Sequence, residues 1–222
     1  MIRVILCDDH ALIRRGIRDT LSDAPDIEVV GEAGDYGELR ALMRTLASPR
    51  DGVGAAAGAD VLLLDIHLPG RSGLDVMHAL KDEGNPIKVL VVSMYPEDQY
   101  ALRALRAGAF GYVNKGGDPQ VLVQAVRTVA QGRKYVTPEI AQMLVESLTA
   151  PASESPHERL SDRELQTLTM IASGKRLSDI AEELKLSPKT VSVYRARVLE
   201  KLGLNNNSEL TVYAIRNGLV GN

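Results

Sequence analysis

The chain has 222 residues, of which 45% are hydrophobic and 25% are charged, and its formal net charge at pH 7 is −3. This is the composition of a globular protein with one or two domains, and it does not by itself indicate a nucleic-acid binder. The charge is unevenly distributed: residues 160–222 carry nine Lys and Arg against seven Asp and Glu, whereas residues 1–159 carry 17 against 22. An acidic first part and a mildly basic second part suggest two domains with separate roles.

Several classes of protein are excluded by simple features of the chain. Cys7 is the only cysteine, so an intrachain disulfide is impossible, and we expect its thiol to be a buried apolar group. The first apolar run is interrupted by Asp8-Asp9, so no secretion signal is predicted. Because no apolar run approaches 18 residues, no membrane span is predicted, and we expect a cytoplasmic protein.

The first part of the chain alternates between short apolar runs and amphipathic helical patterns. Strands are predicted at residues 2–7, 27–33, 61–64, 87–92 and 109–114. Helices are predicted at residues 11–22, after Asp35-x-x-Glu38, after Ser72-x-x-Asp75, at residues 97–107 and from Pro119 onward. Strands that alternate with helices indicate a parallel sheet with helices on both faces. Residues 48–59 form a connection longer than such a fold needs, and we expect a surface insertion there.

Polar side chains stand where the apolar runs end. Asp65 closes the fully apolar run 61–64, Asp8 and Asp9 follow the first run, and Ser93 and Lys115 follow the fourth and fifth. Because ligands of open α/β sheets bind beyond the carboxyl ends of parallel strands, we expect these side chains to meet at one edge. Three clustered carboxylates repel one another and need a cation, and oxygen ligands suit Mg²⁺. A carboxylate beside such a cation can attack phosphorus and form an aspartyl-phosphate.

This set resembles the receiver domain of two-component response regulators, over residues 1–132. The motifs that carry the resemblance are Asp8-Asp9, Asp65 with Pro69 and Gly73, Ser93, Tyr112 and Lys115, in that order. It implies a flavodoxin-like (βα)5 fold with strand order 2-1-3-4-5 and phosphorylation of Asp65 by a sensor histidine kinase. It also implies a Mg²⁺ site and a conformational switch. The metal ligands would be Asp8, Asp9, Asp65 and the backbone carbonyl of His67, and the switch residues Ser93, Tyr112 and Lys115.

The rings of His67 and Tyr95 stand two positions after Asp65 and Ser93. In the resembled family these positions flank the path of the water that hydrolyses the aspartyl-phosphate. We therefore hypothesise that both rings slow this hydrolysis.

The second part of the chain begins after a helix and a linker, at residues 133–158. The helix opens at Thr137-Pro138, and prolines, serines and alanines follow it. In residues 159–222, Ser161-x-x-Glu164 predicts one helix start and Ser187-Pro188 another, with Gly203 ending the helix that reaches Leu202. The segment 160–204 resembles the LuxR-type DNA-binding domain. This implies an all-α, four-helix helix-turn-helix domain, and a receiver joined to it is the arrangement of the NarL/FixJ family.

The helix after Ser187 is predicted to enter the major groove of DNA. Ser192, Val193 and Ala196 share the side opposite its apolar stripe, where the family contacts bases. None of them can make a bidentate contact to guanine, so we expect weak direct recognition that favours A·T pairs. The predicted phosphate contacts are Lys175, Lys189, Thr190, Arg195, Arg197 and Lys201.

The sequence therefore predicts a transcription regulator whose binding to double-stranded DNA is controlled by phosphorylation. Expected partners are a sensor histidine kinase, RNA polymerase and a second copy of the chain, contacted through the helix at residues 208–217. We expect no enzymatic activity beyond self-phosphorylation and self-dephosphorylation. Two alternatives remain. One is a Mg²⁺-dependent phosphohydrolase with Asp65 as nucleophile, which the lack of an aspartate at position 67 disfavours. The other is a receiver that is never phosphorylated.

Overall fold

The structure is a computed structural model that describes residues 1–47, 58–94, 97–149 and 155–220. The chain divides into two compact units, residues 1–148 and 149–222. The predicted insertion falls mostly on residues 48–57, and Tyr95 and the linker residues 150–154 also lie outside the described residues. The helix that follows Thr137 groups with the first unit, although the sequence had suggested that it forms a connector with the linker.

The first unit is a parallel sheet that alternates with helices along the chain. Its strands are β1 (Ile2–Cys7), β2 (Ile27–Ala33), β3 (Val61–Asp65), β4 (Lys88–Ser93) and β5 (Gly111–Asn114). Its helices are α1 (Ala11–Ser22), α2 (Tyr36–Ala47), α3 (Gly73–Asp82), α4 (Glu97–Ala107), α5 (Pro119–Ala130) and α6 (Pro138–Thr149). The strand order is β2-β1-β3-β4-β5 with every pair parallel, which confirms the predicted flavodoxin-like fold.

The central position of β3 in the sheet explains why its sequence is apolar up to Asp65. All five of its residues are buried, because helices cover both faces of a parallel sheet and leave neither face to solvent. The hydrophobic core on one side joins residues of β1, β3 and β4 to the apolar stripe of α5, which includes Val126 and Val129. Asp65 is therefore the polar end of an otherwise apolar strand, and its position is fixed by the packing of that strand.

Three features at the sheet margins were not predicted. The fifth strand begins at Gly111 instead of residue 109, and Gly111 forms a parallel bridge with Tyr135 at the margin of the sheet. A Cβ on Gly111 would lie 2.7 Å from the carbonyl oxygen of Tyr135, so only glycine permits this approach. The register between β1 and β2 also shifts between Val4 and Ile5.

The loop from β3 to α3 lies close to the end of β3. The backbone N–H of Gly73 donates to the carbonyl of Ile66 at 2.7 Å. Ser72 caps α3, accepting from the N–H of Asp75, while the Asp75 carboxylate accepts from the N–H of Ser72. This reciprocal capping box fixes where the helix begins and holds Gly73 against the backbone of Asp65.

The second unit is entirely helical. A 3-10 turn at Pro156–Arg159 precedes α7 (Asp162–Ala172), α8 (Leu177–Glu183), α9 (Pro188–Leu202) and α10 (Asn207–Arg216). The predicted caps at Ser161 and Ser187 are present, and Gly203 ends α9 with φ of 65°. The last helix begins one residue earlier than predicted, because the side chain of Asn206 accepts from the N–H of Glu209.

An ion pair joins the start of α7 to the end of α9. Lys201 Nζ lies 2.6 Å from Glu164 Oε2, and the Glu164 carboxylate also accepts from the backbone N–H of Ser161 at 2.7 Å. Burial raises the pKa of Glu164, but these hydrogen bonds outweigh burial and hold the pKa below its usual range. The ionised carboxylate therefore stabilises the folded unit.

Among the described helices, none is both long enough and apolar enough to cross a membrane.

Replacing Gly73 by alanine is expected to lower the free energy of unfolding of the first unit by about 1–3 kcal/mol, as overpacking does. A Cβ there would lie 2.2 Å from the carbonyl oxygen of Asp65, which belongs to the backbone and cannot yield without moving β3. Gly16→Ala is the matched control, since a Cβ at that helical position meets nothing within 4 Å. Urea unfolding monitored by circular dichroism measures both. Equal stability of the Gly73→Ala variant and the wild type would contradict the packing argument.

Replacing Glu164 by glutamine is expected to lower the stability of the second unit by about 1–3 kcal/mol at pH 7, the range for charged hydrogen bonds. Because folding lowers the pKa of Glu164, its contribution is present above the unfolded pKa of about 4.3 and is lost as pH falls through the folded pKa. The variant and the wild type should therefore converge in acid. Glu183→Gln, which breaks the exposed pair with Lys175, is the control and should cost less than about 1 kcal/mol. A constant difference at every pH would refute this assignment.

Candidate functional site

A buried ammonium group joins two carboxylates at the carboxyl edge of the sheet. Lys115 Nζ lies 2.7 Å from Asp8 Oδ2 and 2.7 Å from Asp65 Oδ2. All three side chains are only 3–4% exposed. The strand ends thus bring together residues that are 57 and 50 positions apart in the chain, as the sequence predicted for this edge.

Two backbone hydrogen bonds that continue the ladders of the sheet hold Asp8 and Lys115 in place. Asp8 directly follows β1, and its backbone N–H donates to Ala33 O at 3.0 Å, which continues the ladder with β2. Lys115 follows β5, and its N–H donates to Ser93 O at 2.8 Å, which continues the ladder with β4. Because β4 lies between β3 and β5, the long side chain of Lys115 must span the end of β4 to reach Asp65.

The carboxylate of Asp65 is under opposing electrostatic influences. Burial raises its pKa most, and the neighbouring charge of Asp8 raises it further. The charge and hydrogen bond of Lys115, together with the backbone N–H of His67 donating to Oδ1 at 3.2 Å, lower the pKa. The net direction is upward, so this carboxylate holds its negative charge less firmly than an exposed aspartate.

The acidic cluster suits a divalent cation. Asp8, Asp9, His10 and Asp65 each offer a ligand atom, and these atoms all lie within 4.8 Å of one another. Asp9 Oδ1 is buried from solvent and lies 2.7 Å from His10 Nδ1. Carboxylate oxygens are the ligands that Mg²⁺ prefers. Asp8, Asp9 and Asp65 therefore fit the predicted metal site, and the role of the His67 carbonyl stays a prediction.

The predicted switch residues Ser93 and Tyr112 belong to the last two strands of the sheet. Ser93 ends β4 and Tyr112 lies within β5, and both are fully buried. Their role as switch residues stays a prediction.

Two residues of this site were not predicted from the sequence. His10 lies beside Asp9, with Nδ1 2.7 Å from Oδ1. Arg14 donates to the backbone carbonyl of Asp8 and, through Nε, to Glu32 Oε2 at 3.0 Å on β2. Helical side chains lean toward the N-terminus, so the position of Arg14 in the first turn of α1 indicated that it could reach the preceding loop. No feature of the sequence indicated which carbonyl it would contact.

The ring of His67 contacts helix α4. Its ring packs edge-to-face on Tyr100 of α4, with centroids 5.6 Å apart and planes at 85°. The hypothesis that this ring slows hydrolysis stays a prediction, and its companion Tyr95 lies outside the described residues.

The second unit contains the helix pair predicted to bind DNA. Helices α8 and α9 are joined by a tight turn in which Lys185 has φ of 52°. Ser192, Val193 and Ala196 are all exposed on α9, as a base-contacting surface requires. The hydroxyl of Ser192 donates to Pro188 O at 2.9 Å, so its proton is engaged within the helix. This leaves an oxygen acceptor and two apolar groups on the surface, which agrees with weak direct recognition.

The predicted phosphate-binding cations fall into two groups. Within the described residues, the side chains of Lys189 and Arg197 are exposed and form no hydrogen bond or ion pair. The others have partners: Lys201 with Glu164, Lys175 with Glu183, and Arg195 Nε with Asn207 Oδ1 at 2.6 Å. Thr190 shares a 2.7 Å hydrogen bond with the capping Ser187. Lys189 and Arg197 are therefore the strongest candidates for contacts to a phosphate backbone.

Two family models match the chain. The response regulator receiver domain matches residues 4–127, and the bacterial regulatory proteins of the luxR family match residues 158–214. Among curated relatives, the response regulator GacA of Pseudomonas protegens is 40% identical over 99% of this chain and 98% of its own length. The response regulator UvrY of Escherichia coli is also 40% identical, over 99% and 96%.

Solved structures agree with these matches. RcsB from Salmonella enterica serovar Typhimurium, bound to promoter rprA in the presence of the phosphomimetic BeF3−, aligns with a TM-score of 0.60 and 27% identity over 96% of this chain and 97% of its own. A LuxR-family two-component response regulator from Aurantimonas aligns with a TM-score of 0.57 and 33% identity over 67% and 98%. The receiver match covers more than half of the chain, and relatives of 40% identity span nearly all of it. The chain therefore belongs to the two-component response regulators of the NarL/FixJ type, in which a receiver domain precedes a LuxR-type DNA-binding domain.

Proposed function

We propose that Asp65 accepts a phosphoryl group from a sensor histidine kinase and that this modification controls DNA binding by the second domain. The observation that carries the proposal is the buried contact of Lys115 with both Asp65 and Asp8. An ammonium group that is buried between two carboxylates can move toward an added phosphoryl group. The phosphoryl oxygens would accept hydrogen bonds from the ammonium group in competition with the carboxylates. The contacts of Lys115 with Asp8 and Asp65 therefore depend on the charge carried by Asp65.

The chemistry at Asp65 is a transfer from nitrogen to oxygen. A carboxylate oxygen of Asp65 attacks phosphorus, the O–P bond forms, and the N–P bond of the phosphohistidine breaks with its electron pair returning to the imidazole. The raised pKa of Asp65 leaves its charge only partly stabilised before the transfer. Lys115 and the N–H of His67 contact one carboxylate oxygen each and orient the group for attack.

Mg²⁺ is the proposed cofactor, held by Asp8, Asp9, Asp65 and the backbone carbonyl of His67. When bound, it would neutralise charge on the phosphoryl oxygens. Arg14 positions the metal ligands. It links the Asp8 carbonyl to Glu32 on β2 and so fixes the loop that bears Asp8 and Asp9.

The proposed output is transcriptional control through double-stranded DNA. Helix α9 would lie in the major groove, with Ser192, Val193 and Ala196 toward the bases and the exposed cations toward the phosphates. A homodimer formed on activation is proposed to use α10, where Val212 and Ile215 are 47% and 42% exposed. Contact with RNA polymerase and a cytoplasmic location belong to the same proposal, as does the lack of enzymatic turnover on other substrates.

The control of DNA binding can be measured by fluorescence anisotropy on DNA selected from a random pool. Beryllofluoride with Mg²⁺ is expected to raise the affinity of the wild type by about 5- to 150-fold, the usual range of allosteric coupling. Asp65→Asn should abolish this gain and keep the basal affinity, whereas the exposed Asp82→Asn should retain the gain. If Asp65→Asn responds to beryllofluoride like the wild type, Asp65 is not the acceptor. If the wild type does not respond, phosphorylation does not control DNA binding.

The same assay tests which cations contact phosphates. Arg197→Gln is expected to weaken binding to all sequences and to reduce the slope of log K against log salt by about 1. Lys201→Gln should leave this slope unchanged, because its ammonium is bound to Glu164. A slope that falls in the Lys201 variant, and stays the same in the Arg197 variant, would reverse this assignment.

A further inference from the structure

The outer edge of β5 is covered by a later segment of the same chain. The strand β5 is the last in the sheet, so β4 pairs with only one of its edges. After α5 the chain returns to the other edge, where Tyr135 forms a parallel bridge with Gly111 and its N–H donates to Phe110 O at 2.7 Å. We call residues 133–136 the strap. It satisfies backbone groups that an edge strand would otherwise leave open.

The side chain of Lys134 fastens the strap to the start of β5. Its ammonium group donates to the carbonyl oxygen of Ala109 and lies 4.6 Å from the centre of the Phe110 ring. Partial burial lowers the pKa of Lys134, which shows that the ammonium is partly removed from water. A contact between a cation and an aromatic ring is stronger when the cation is desolvated. Both contacts are made with the two residues that directly precede β5.

The strap and the start of β5 fit together too closely to move independently. A Cβ on Gly111 would lie 2.7 Å from the carbonyl oxygen of Tyr135 and 3.0 Å from its Cβ. Because the backbones are in contact here, a shift of β5 along its axis must either carry Tyr135 with it or break the bridge. Close-packed contacts of this kind change between discrete arrangements and do not deform continuously.

The opposite end of the same strand is held by the acidic cluster. The strand β5 has only four residues, Gly111–Asn114, and Lys115 follows it directly. Since a strand rises about 3.3 Å per residue, Lys115 stands only about 13 Å along the strand from Gly111. Its ammonium contacts Asp8 and Asp65, each at 2.7 Å. A movement of Lys115 toward a phosphoryl group would therefore pull on the strand that the strap covers.

We propose that the strap is a conformational switch, docked on β5 while Lys115 contacts both carboxylates and loosened when Asp65 is phosphorylated. The inference rests on the proposed function, in which the phosphoryl group on Asp65 draws Lys115 toward it. The strap leads into α6, which begins at Pro138 and is anchored by the fully buried Ile140. Loosening of the strap would thus reach the helix that precedes the linker. Because coupling is reciprocal, a loosened strap must favour the phosphorylated form.

Amide hydrogen exchange of the full-length protein, followed by NMR, measures the strap directly. Beryllofluoride with Mg²⁺ is expected to speed exchange of the Tyr135 amide by about 5- to 150-fold in the wild type, and to have no effect in Asp65→Asn. Unchanged exchange of Tyr135, together with a response of the His67 amide that donates to Asp65, would overturn the inference alone. If neither amide responds, the proposed function is wrong, and the inference that rests on it is wrong as well.

Variants of Lys134 separate a switch from a segment that only covers the strand edge. Lys134→Met should speed exchange of the Tyr135 amide without beryllofluoride and raise the affinity for beryllofluoride by about fivefold. Lys134→Arg keeps a cation that can donate and stack, so it should restore the wild-type values. Arg133→Met, which removes a hydrogen bond to Gln131, is the matched control and should change neither quantity. Faster exchange in Lys134→Met with an unchanged affinity for beryllofluoride would refute the coupling.

Discussion

The contact of Lys115 with Asp8 and Asp65 is the interaction on which the first domain depends. Two carboxylates and one ammonium are buried together, so removing the lysine would leave two like charges without compensation in a poorly solvated place. Breaking a buried ion pair costs about 3–5 kcal/mol in general, far more than an exposed pair of the same length. The same desolvation raises the pKa of Asp65, so stability and reactivity have a common physical cause.

The parallel sheet produces this contact from residues that are far apart in the sequence. The parallel strands end at the same edge, where Asp8, Asp65, Ser93 and Lys115 stand at the ends of β1, β3, β4 and β5, whereas β2 ends at Ala33. The order β2-β1-β3-β4-β5 places Asp8 and Asp65 on neighbouring strands and Lys115 two strands from Asp65. Lysine has a side chain long enough to cover that span, whereas the shorter Ser93 stays on β4 between them. The residue types at the edge thus follow the distances that the sheet imposes.

Much of the fold and of this edge could be predicted, because strand ends and helix caps are local properties. The apolar runs fixed the position of Asp65, and Ser72, Ser161 and Ser187 marked three helix starts through bonds to the backbone three residues away. Contacts made across tertiary structure could not be predicted. The predicted contact of Lys201 with a DNA phosphate stays a prediction, and only the packing of α9 on α7 reveals its buried partner Glu164. The same is true of Arg14, whose target is one carbonyl among several in reach.

The close approach of Gly73 to the backbone of Asp65 restricts which residues can occupy position 73. Its missing side chain leaves room for the carbonyl oxygen of Asp65, the residue proposed to carry the phosphoryl group. Any other residue at position 73 would displace the backbone that aims this carboxylate, so a mutation there would harm folding and signalling together. A second mutation elsewhere in the sheet could restore the stability of the domain without restoring the orientation of the Asp65 carboxylate. We therefore expect glycine alone to be tolerated at position 73.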